Sequence, residues 1–146
     1  MSPVSSPSQS KRAIVSLGSN IEPRADYLAK ALRALSAFPE TRFVKASSVI
    51  ETDPVDVPEE YAAQKFLNQV AVFETGLGPF EFSRRMHAVE DDLGRVRTVR
   101  NGPRTIDIDL IDFGGLVVNA RDLVLPHPRA RLRDFVMNPL RELGLS

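Results

Sequence analysis

From Ala13 to Leu17 the chain is apolar at every position but Ser16, then meets Gly18-Ser19-Asn20, which predicts a strand ending in a turn. Pro23 opens a different pattern, with Leu28, Leu32, Leu35 and Phe38 on one helical stripe that Pro39 stops. Arg42 to Glu51 and Phe66 to Thr75 read as strands. Between them Thr52 to Lys65 forms a loop with Pro54 and Pro58 among Asp53, Asp56, Glu59 and Glu60, longer than most connections and of the kind that makes lids and binding loops. Gly78-Pro79 starts a second helix, where Phe82, Met86, Val89 and Leu93 form one buried face and Gly94 ends it. Val96 to Arg104 has no period and reads as a loop. Thr105 to Phe113 alternates as a strand, Gly114-Gly115 turns, and Leu116 to Asn119 is expected to return as its hairpin partner. Asp122 to Leu125 suggests a further strand, and Arg131 to Leu143 a helix broken at Pro139. These elements make an α+β sandwich, a mainly antiparallel sheet with helices packed on one face and the other face available for ligand. The Ser- and Pro-rich residues 1–12 read as a disordered tail, and 13–146 as a single domain with no internal repeat.

Composition narrows the class. The chain has 146 residues, 42% hydrophobic and 26% charged, which suits one folded domain. It lacks cysteine, so disulfides and thiolate metal sites are excluded and a cytoplasmic location is the expectation. No apolar run reaches the ~20 residues that span a bilayer, and Met1 to Arg12 holds no secretory signal. Two histidines, His87 and His127, are too few for most zinc sites, so a metal would be a hard cation on carboxylates. Nineteen basic residues balance nineteen acidic ones, which argues against nucleic acid or a membrane surface as partner. The balance is uneven along the chain. Glu51 to Asp92 holds ten acidic residues and three basic, whereas Leu93 to Phe135 holds eight arginines, five aspartates and no lysine. Arginine forks suit bidentate contact with phosphate or carboxylate.

The most informative segment is Thr105-Ile106-Asp107-Ile108-Asp109-Leu110. In a strand Ile106, Ile108 and Leu110 share the buried face, and Asp107 and Asp109 share the other with Cα atoms about 6.6–6.8 Å apart. Like charges that close repel, and aspartate is disfavoured in strands. A bare D-x-D is most simply a solvent-facing polar stripe. Here Arg95, Arg97, Arg100 and Arg104 lie just upstream, and carboxylate-held Mg²⁺ with arginine forks is the usual way to neutralise a polyphosphate. No Walker loop occurs. His127 is pinned between Pro126 and Pro128, close in sequence to Arg129, Arg131 and Arg133, which suits phosphate contact.

Several motifs then occur in order: Leu17-Gly18-Ser19-Asn20, Ser47-Ser48 before Thr52-Asp53-Pro54, Phe66-Leu67-Asn68, Leu93-Gly94-Arg95, Gly102-Pro103-Arg104-Thr105-Ile106-Asp107-Ile108-Asp109, Pro126-His127-Pro128 and Arg133-Asp134-Phe135-Val136. From about Ala13 to Leu143 the chain resembles the 6-hydroxymethyl-7,8-dihydropterin pyrophosphokinases of folate biosynthesis. The resemblance implies a ferredoxin-like fold and transfer of pyrophosphate from ATP to the pterin hydroxymethyl group, releasing AMP. It implies that Asp107 and Asp109 hold two Mg²⁺ ions, and that Arg95 and Arg104 act with them in catalysis. Arg95, Arg104, His127 and Arg133 would contact ATP, with Glu90 orienting an arginine. Thr52, Pro54 and Val55 would line the pterin, Asn68 would hydrogen-bond it, and Phe66 and Phe135 would stack on it. The implied partners are the two small-molecule substrates, with the chain a monomer.

Asn101 stands where many members carry an aromatic residue, Asp56 where glycine is common, and Ile50 where an aromatic is frequent. The chain also stops at Ser146 without the longer tail of some members. Taken singly, Phe66 and Phe135 read as core residues and Asn68 as an edge polar group. A silent pterin- or nucleotide-binding paralogue and a nucleic-acid-binding domain are the rival readings.

Overall fold

A computed structural model of the chain describes residues 10–53, 59–61, 64–94 and 105–145. Its centre is β1 (Lys11–Ser19), which pairs antiparallel with β4 (Phe66–Thr75) on one side and β5 (Asp107–Phe113) on the other. β2 (Thr41–Ala46) and β3 (Ile50–Thr52) both pair antiparallel with β4, so the sheet runs β2-β4-β1-β5 with β3 beside β4. Helices α1 (Arg24–Ser36) and α2 (Pro79–Asp92) connect the strands across one face. The result is the ferredoxin-like α+β sandwich that the resemblance implied.

Period-two alternation divides the strands between two cores. Ala13, Val15, Leu17, Ala71, Phe73 and Ile108 face the helices and meet Leu28, Ala31 and Leu35 of α1 and Phe82, Met86 and Val89 of α2. Phe82 sits at the middle of this layer, edge-on to Phe38 (5.3 Å between centroids) and to Phe113 (5.9 Å). Such pairs add about 0.5–1.5 kcal/mol beyond the area they bury. A bulge sharpens the layer. Ile14 pairs with Asp112 and Val15 with Leu110, leaving Ile111 as the extra residue. Leu110 and Phe113, three apart, therefore both reach the helix side while Ile111 faces the other way.

On that second face lies α3 (Asp134–Glu142), which follows a 3-10 turn at Ala130–Leu132. Its Val136 and Leu140 pack on Ile14, Val70, Val72 and Ile111. The sequence reading left this face open for ligand; α3 covers the end of it that carries Val70 and Val72.

Other boundaries move for identifiable reasons. β1 starts at Lys11, inside the stretch read as tail, because Lys11 and Arg12 pair with Thr75 and Glu74. The strand expected over Arg42 to Glu51 is two strands. Ser47 interrupts it: its hydroxyl accepts the Val70 N–H at 3.0 Å while its own N–H donates to the Val70 carbonyl at 2.8 Å. The hairpin expected through Gly114-Gly115 does not form. β6 (Val118–Asn119) pairs with β7 (Val124–Leu125) instead of β5. Polar groups of β5 are taken by other partners: the Ile108 N–H by Glu90 and the Ile111 carbonyl by the His127 N–H at 2.9 Å. Pro139 lies within α3 and is buried, and the break falls at Arg133, between the 3-10 turn and α3.

Candidate active site

Strand register assembles the site. Gly18 of β1 pairs with Asn68 of β4 on one side and Asp107 of β5 on the other. One step along, Ser16 stands between Val70 and Asp109. Asn68, Gly18 and Asp107 thus form a row across three strands on the face away from α1 and α2. With strands about 4.7–4.9 Å apart, Asn68 and Asp107 are roughly 10 Å apart at the backbone.

Gly18 is what lets the row close up. A Cβ there would lie 3.1 Å from Asn68 Oδ1 and 3.5 Å from Phe66 Cδ1. Asn68 is 3% exposed, and its Nδ2 donates to Thr52 Oγ1 at 2.5 Å. Thr52 and Phe66 are themselves the last pair of the β3–β4 ladder. Three of the residues assigned to the pterin, Thr52, Phe66 and Asn68, are therefore one contiguous group. Phe135 comes from α3 and packs against the same-face core. Pro54 and Val55 lie outside the described residues.

Of the residues expected to contact phosphate, Arg133 and His127 are described and lie near β5. Arg133 Nη1 lies 3.7 Å from Asp109 Oδ2, and its guanidinium sits 5.6 Å above the Phe135 ring. One arginine thus links the carboxylate pair to the aromatic. His127 is half-buried. Its Nδ1 accepts the Arg129 N–H at 3.2 Å, so a neutral ring carries its proton on Nε2 as a donor. Burial, then the Arg133 and Arg129 guanidiniums, hold its pKa below the usual imidazole range, while the Asp107 carboxylate works in the opposite direction. Arg95 and Arg104 lie outside the described residues.

Glu90 occupies a place that its spacing did not reveal. It is 3% exposed on α2; Oε2 accepts the Ile108 N–H at 2.8 Å and Oε1 lies 3.0 Å from His87 Nδ1. Ile108 stands between the two aspartates, so Glu90 holds their strand from behind. The resemblance implied that Glu90 orients an arginine without naming which; Arg95, Arg97, Arg100 and Arg104 are outside the described residues. Sequence reasoning also passed over a cavity of about 290 Å³ beside β5, lined by Ser83, Met86 and His87 of α2, Ile108 to Leu110, and residues 121–124 with His127. For Glu90 the available signal was that it and His87, three apart, share one helix face.

The donor set fits a hard divalent cation. Asp107 and Asp109 offer carboxylate oxygens on one face, and the described residues hold no group of three His, Cys, Asp or Glu that would make a closed metal cage. Mg²⁺ is commonly held by one or two carboxylates, with waters and substrate phosphates completing the shell. Among the described residues no helix is long and apolar enough to cross a membrane.

Comparison with known proteins points the same way. Residues 14–144 match the family model described as 7,8-dihydro-6-hydroxymethylpterin-pyrophosphokinase. The chain is 40% identical over 131 residues to the 2-amino-4-hydroxy-6-hydroxymethyldihydropteridine pyrophosphokinase of Bacillus subtilis, covering 90% of this chain and 77% of that one. The protein of the same name from Methylorubrum extorquens is 41% identical, covering 91% and 82%. Among solved structures, an HPPK-DHPS in complex with substrates superposes with a TM-score of 0.68 at 12% identity, covering 91% of this chain and 40% of that one. The fold is thereby shared with part of a longer chain.

Proposed function

The chain belongs to the 7,8-dihydro-6-hydroxymethylpterin-pyrophosphokinase family, and on that footing we propose that it transfers pyrophosphate from ATP to 6-hydroxymethyl-7,8-dihydropterin, releasing AMP, for folate biosynthesis. The observation that supports these roles is the row Asn68–Gly18–Asp107, which sets the Asn68 carboxamide and the Asp107 carboxylate on one face, two strands apart.

At the pterin end Asn68, held by Thr52, presents a carboxamide that both donates and accepts to the edge of a heterocycle. Phe66 and Phe135 supply the flat apolar contact for its faces. At the phosphate end Asp107 and Asp109 would hold two Mg²⁺ ions, whose chemistry when bound is to neutralise phosphate charge and polarise the phosphorus under attack. His127 donates a hydrogen bond from Nε2 to a phosphate oxygen, its neutral form favoured by burial and the neighbouring guanidiniums. Arg133 leaves Asp109 for the phosphate, since both offer oxygens to the same fork. Arg95 and Arg104 add two further forks from the 95–104 stretch. Glu90 keeps β5 in register while this charge gathers. Fixed positions for the hydroxyl and the phosphorus supply much of the rate. The remaining cavity beside β5 takes the nucleoside of ATP. The substrates are small molecules, and the chain works as a monomer with no nucleic acid or membrane partner.

The test is AMP formation from ATP with and without the hydroxymethylpterin. Turnover is expected only with the pterin present and only with Mg²⁺. Asp107→Ala should abolish it; full activity in that variant would remove the metal assignment, and pterin-independent ATP breakdown would remove the reaction.

A further inference from the structure

We infer that Arg24 is a positioning residue for the pterin end of the site, acting on the sheet from the face opposite to the substrate; this rests on the function proposed above. Arg24 opens α1. Its Nη1 donates to Glu51 Oε2 at 2.9 Å and to the Lys65 carbonyl at 3.0 Å, while its Nε donates to Glu22 Oε2 at 2.9 Å. The side chain is 20% exposed, well shielded for an arginine making three such contacts.

The two distant partners occupy telling positions. Glu51 immediately precedes Thr52, and Lys65 immediately precedes Phe66. Thr52 and Phe66 form the terminal pair of the β3–β4 ladder. One guanidinium therefore ties both chains at the point where their pairing stops. Alternation places Glu51, opposite Leu67, on the helix side, and Thr52, Phe66 and Asn68 on the other. Arg24 pulls on the back of the ladder while the pterin lies against its front.

The ladder needs such a pin. β3 has three residues, and the end of a short ladder opens at little free-energy cost. Opening the Thr52–Phe66 pair would part Thr52 Oγ1 from Asn68 Nδ2 and leave the carboxamide and the Phe66 ring without a fixed orientation. A planar fork fixes direction as well as distance, which a single ammonium does not. The pair also spans a gap that local sequence cannot, because 27 residues separate Arg24 from Glu51 and 41 from Lys65.

Steady-state kinetics on the full chain, with amide hydrogen exchange on the ligand-free protein, test this. Arg24→Gln should raise the KM for the hydroxymethylpterin roughly five- to tenfold, leaving kcat and the KM for ATP within about twofold. Exchange at the Phe66 and Asn68 amides, which face β3, should accelerate, with Val70 and Val72 unchanged. Arg24→Lys, which holds one partner at a time, should fall between. Glu51→Gln approaches the same contact from the other side and should reproduce the effect; the double variant should be no worse than the stronger single one. Lys30→Ala, an exposed position on the same helix paired with Asp26 at 4.0 Å, should change nothing. An unchanged pterin KM in Arg24→Gln overturns the inference, as does a matching rise in the KM for ATP. A wild-type protein with no pterin-dependent AMP release overturns the proposed function and this inference together; an active wild type with an unaffected Arg24→Gln overturns the inference alone.

Discussion

The two faces of the sheet are cut from the same strands, and one is apolar along the core while the other is apolar only under α3 and polar beyond it. On the helix side Ala13, Val15, Leu17, Ala71, Phe73 and Ile108 are each 2% exposed or less, and the aromatic rings interlock around Phe82. On the other side β1, β4 and β5 present Ser16, Gly18, Asn68, Asp107 and Asp109. Several of those choices are poor for a strand. Two aspartates share a face of an outer strand, and a glycine sits in the central strand, where it costs roughly 0.5–1 kcal/mol relative to alanine. Burial on one face offsets these costs on the other, and α3 covers the end of that other face that carries Val70 and Val72.

A crossed pair of substitutions would break this division if it is wrong. Asp109→Asn should lower turnover by about a thousandfold or more, as loss of a metal site that contributes several kcal/mol implies. Its Tm should stay level, because a repulsive neighbour of Asp107 is removed while the half-buried contact to Arg133, at 3.7 Å, contributes little. Phe82→Ala should do the reverse. Emptying the middle of the aromatic layer should cost about 3–5 kcal/mol, a fall of roughly 10–20 °C in Tm, while both KM values of the folded fraction hold. Differential scanning calorimetry beside the AMP assay reads both variants. A large Tm loss in Asp109→Asn would mean that the aspartate pair is structural.

How far the sequence carried depends on the range of the interaction. β4 was legible end to end, since alternation over Phe66 to Thr75 is a local signal, and both apolar helix stripes were legible for the same reason. The row of Asn68, Gly18 and Asp107 required the register, which links residues tens of positions apart. The partner of β6 was misread because nothing in Leu116 to Asn119 records that β5 already has Glu90 and His127 as partners. Glu90 was read only as the support of an arginine, and Arg24 was not singled out. Their partners include the Ile108 N–H and the Lys65 carbonyl, and such backbone groups leave no mark in the sequence.

Gly18 tests the site face more gently. Gly18→Ala adds a Cβ within 3.1 Å of Asn68 Oδ1, a contact that the carboxamide relieves only by turning away from its present direction. The expected result is a rise of roughly tenfold in the pterin KM with the KM for ATP unchanged, because the carboxamide and the phosphate-side residues sit on different strands. Stability should hold or improve slightly, as replacing a strand glycine by alanine gains about as much as the crowding costs. Equal changes in both KM values would show that the row is not divided into a ring end and a phosphate end.

The smallest effect lies where the two faces are fastened together, at the far end of α3. Glu142 accepts hydrogen bonds from the Ser48 amide at 2.8 Å and the Ser48 hydroxyl at 2.7 Å, tying α3 to the chain between β2 and β3. The Ser48 hydroxyl first, then its amide, hold the Glu142 carboxyl below the usual glutamate range. A depressed folded-state pKa means that the unfolded chain takes up the proton first. The stabilisation is therefore complete above the ordinary glutamate value of 4.5 and disappears as pH falls through the lower folded value. Glu142→Gln should leave a smaller Tm difference from wild type at acid pH than at neutral pH, with the AMP assay at pH 7 unaffected. His127 bends the wild-type curve in the same sense at higher pH, because its pKa too is lowered from 6.5 in the folded chain. The two contributions separate by pH window, so a Glu142→Gln curve whose gap to wild type closes near pH 6 rather than below 4.5 would show that α3 is held by something other than this carboxylate.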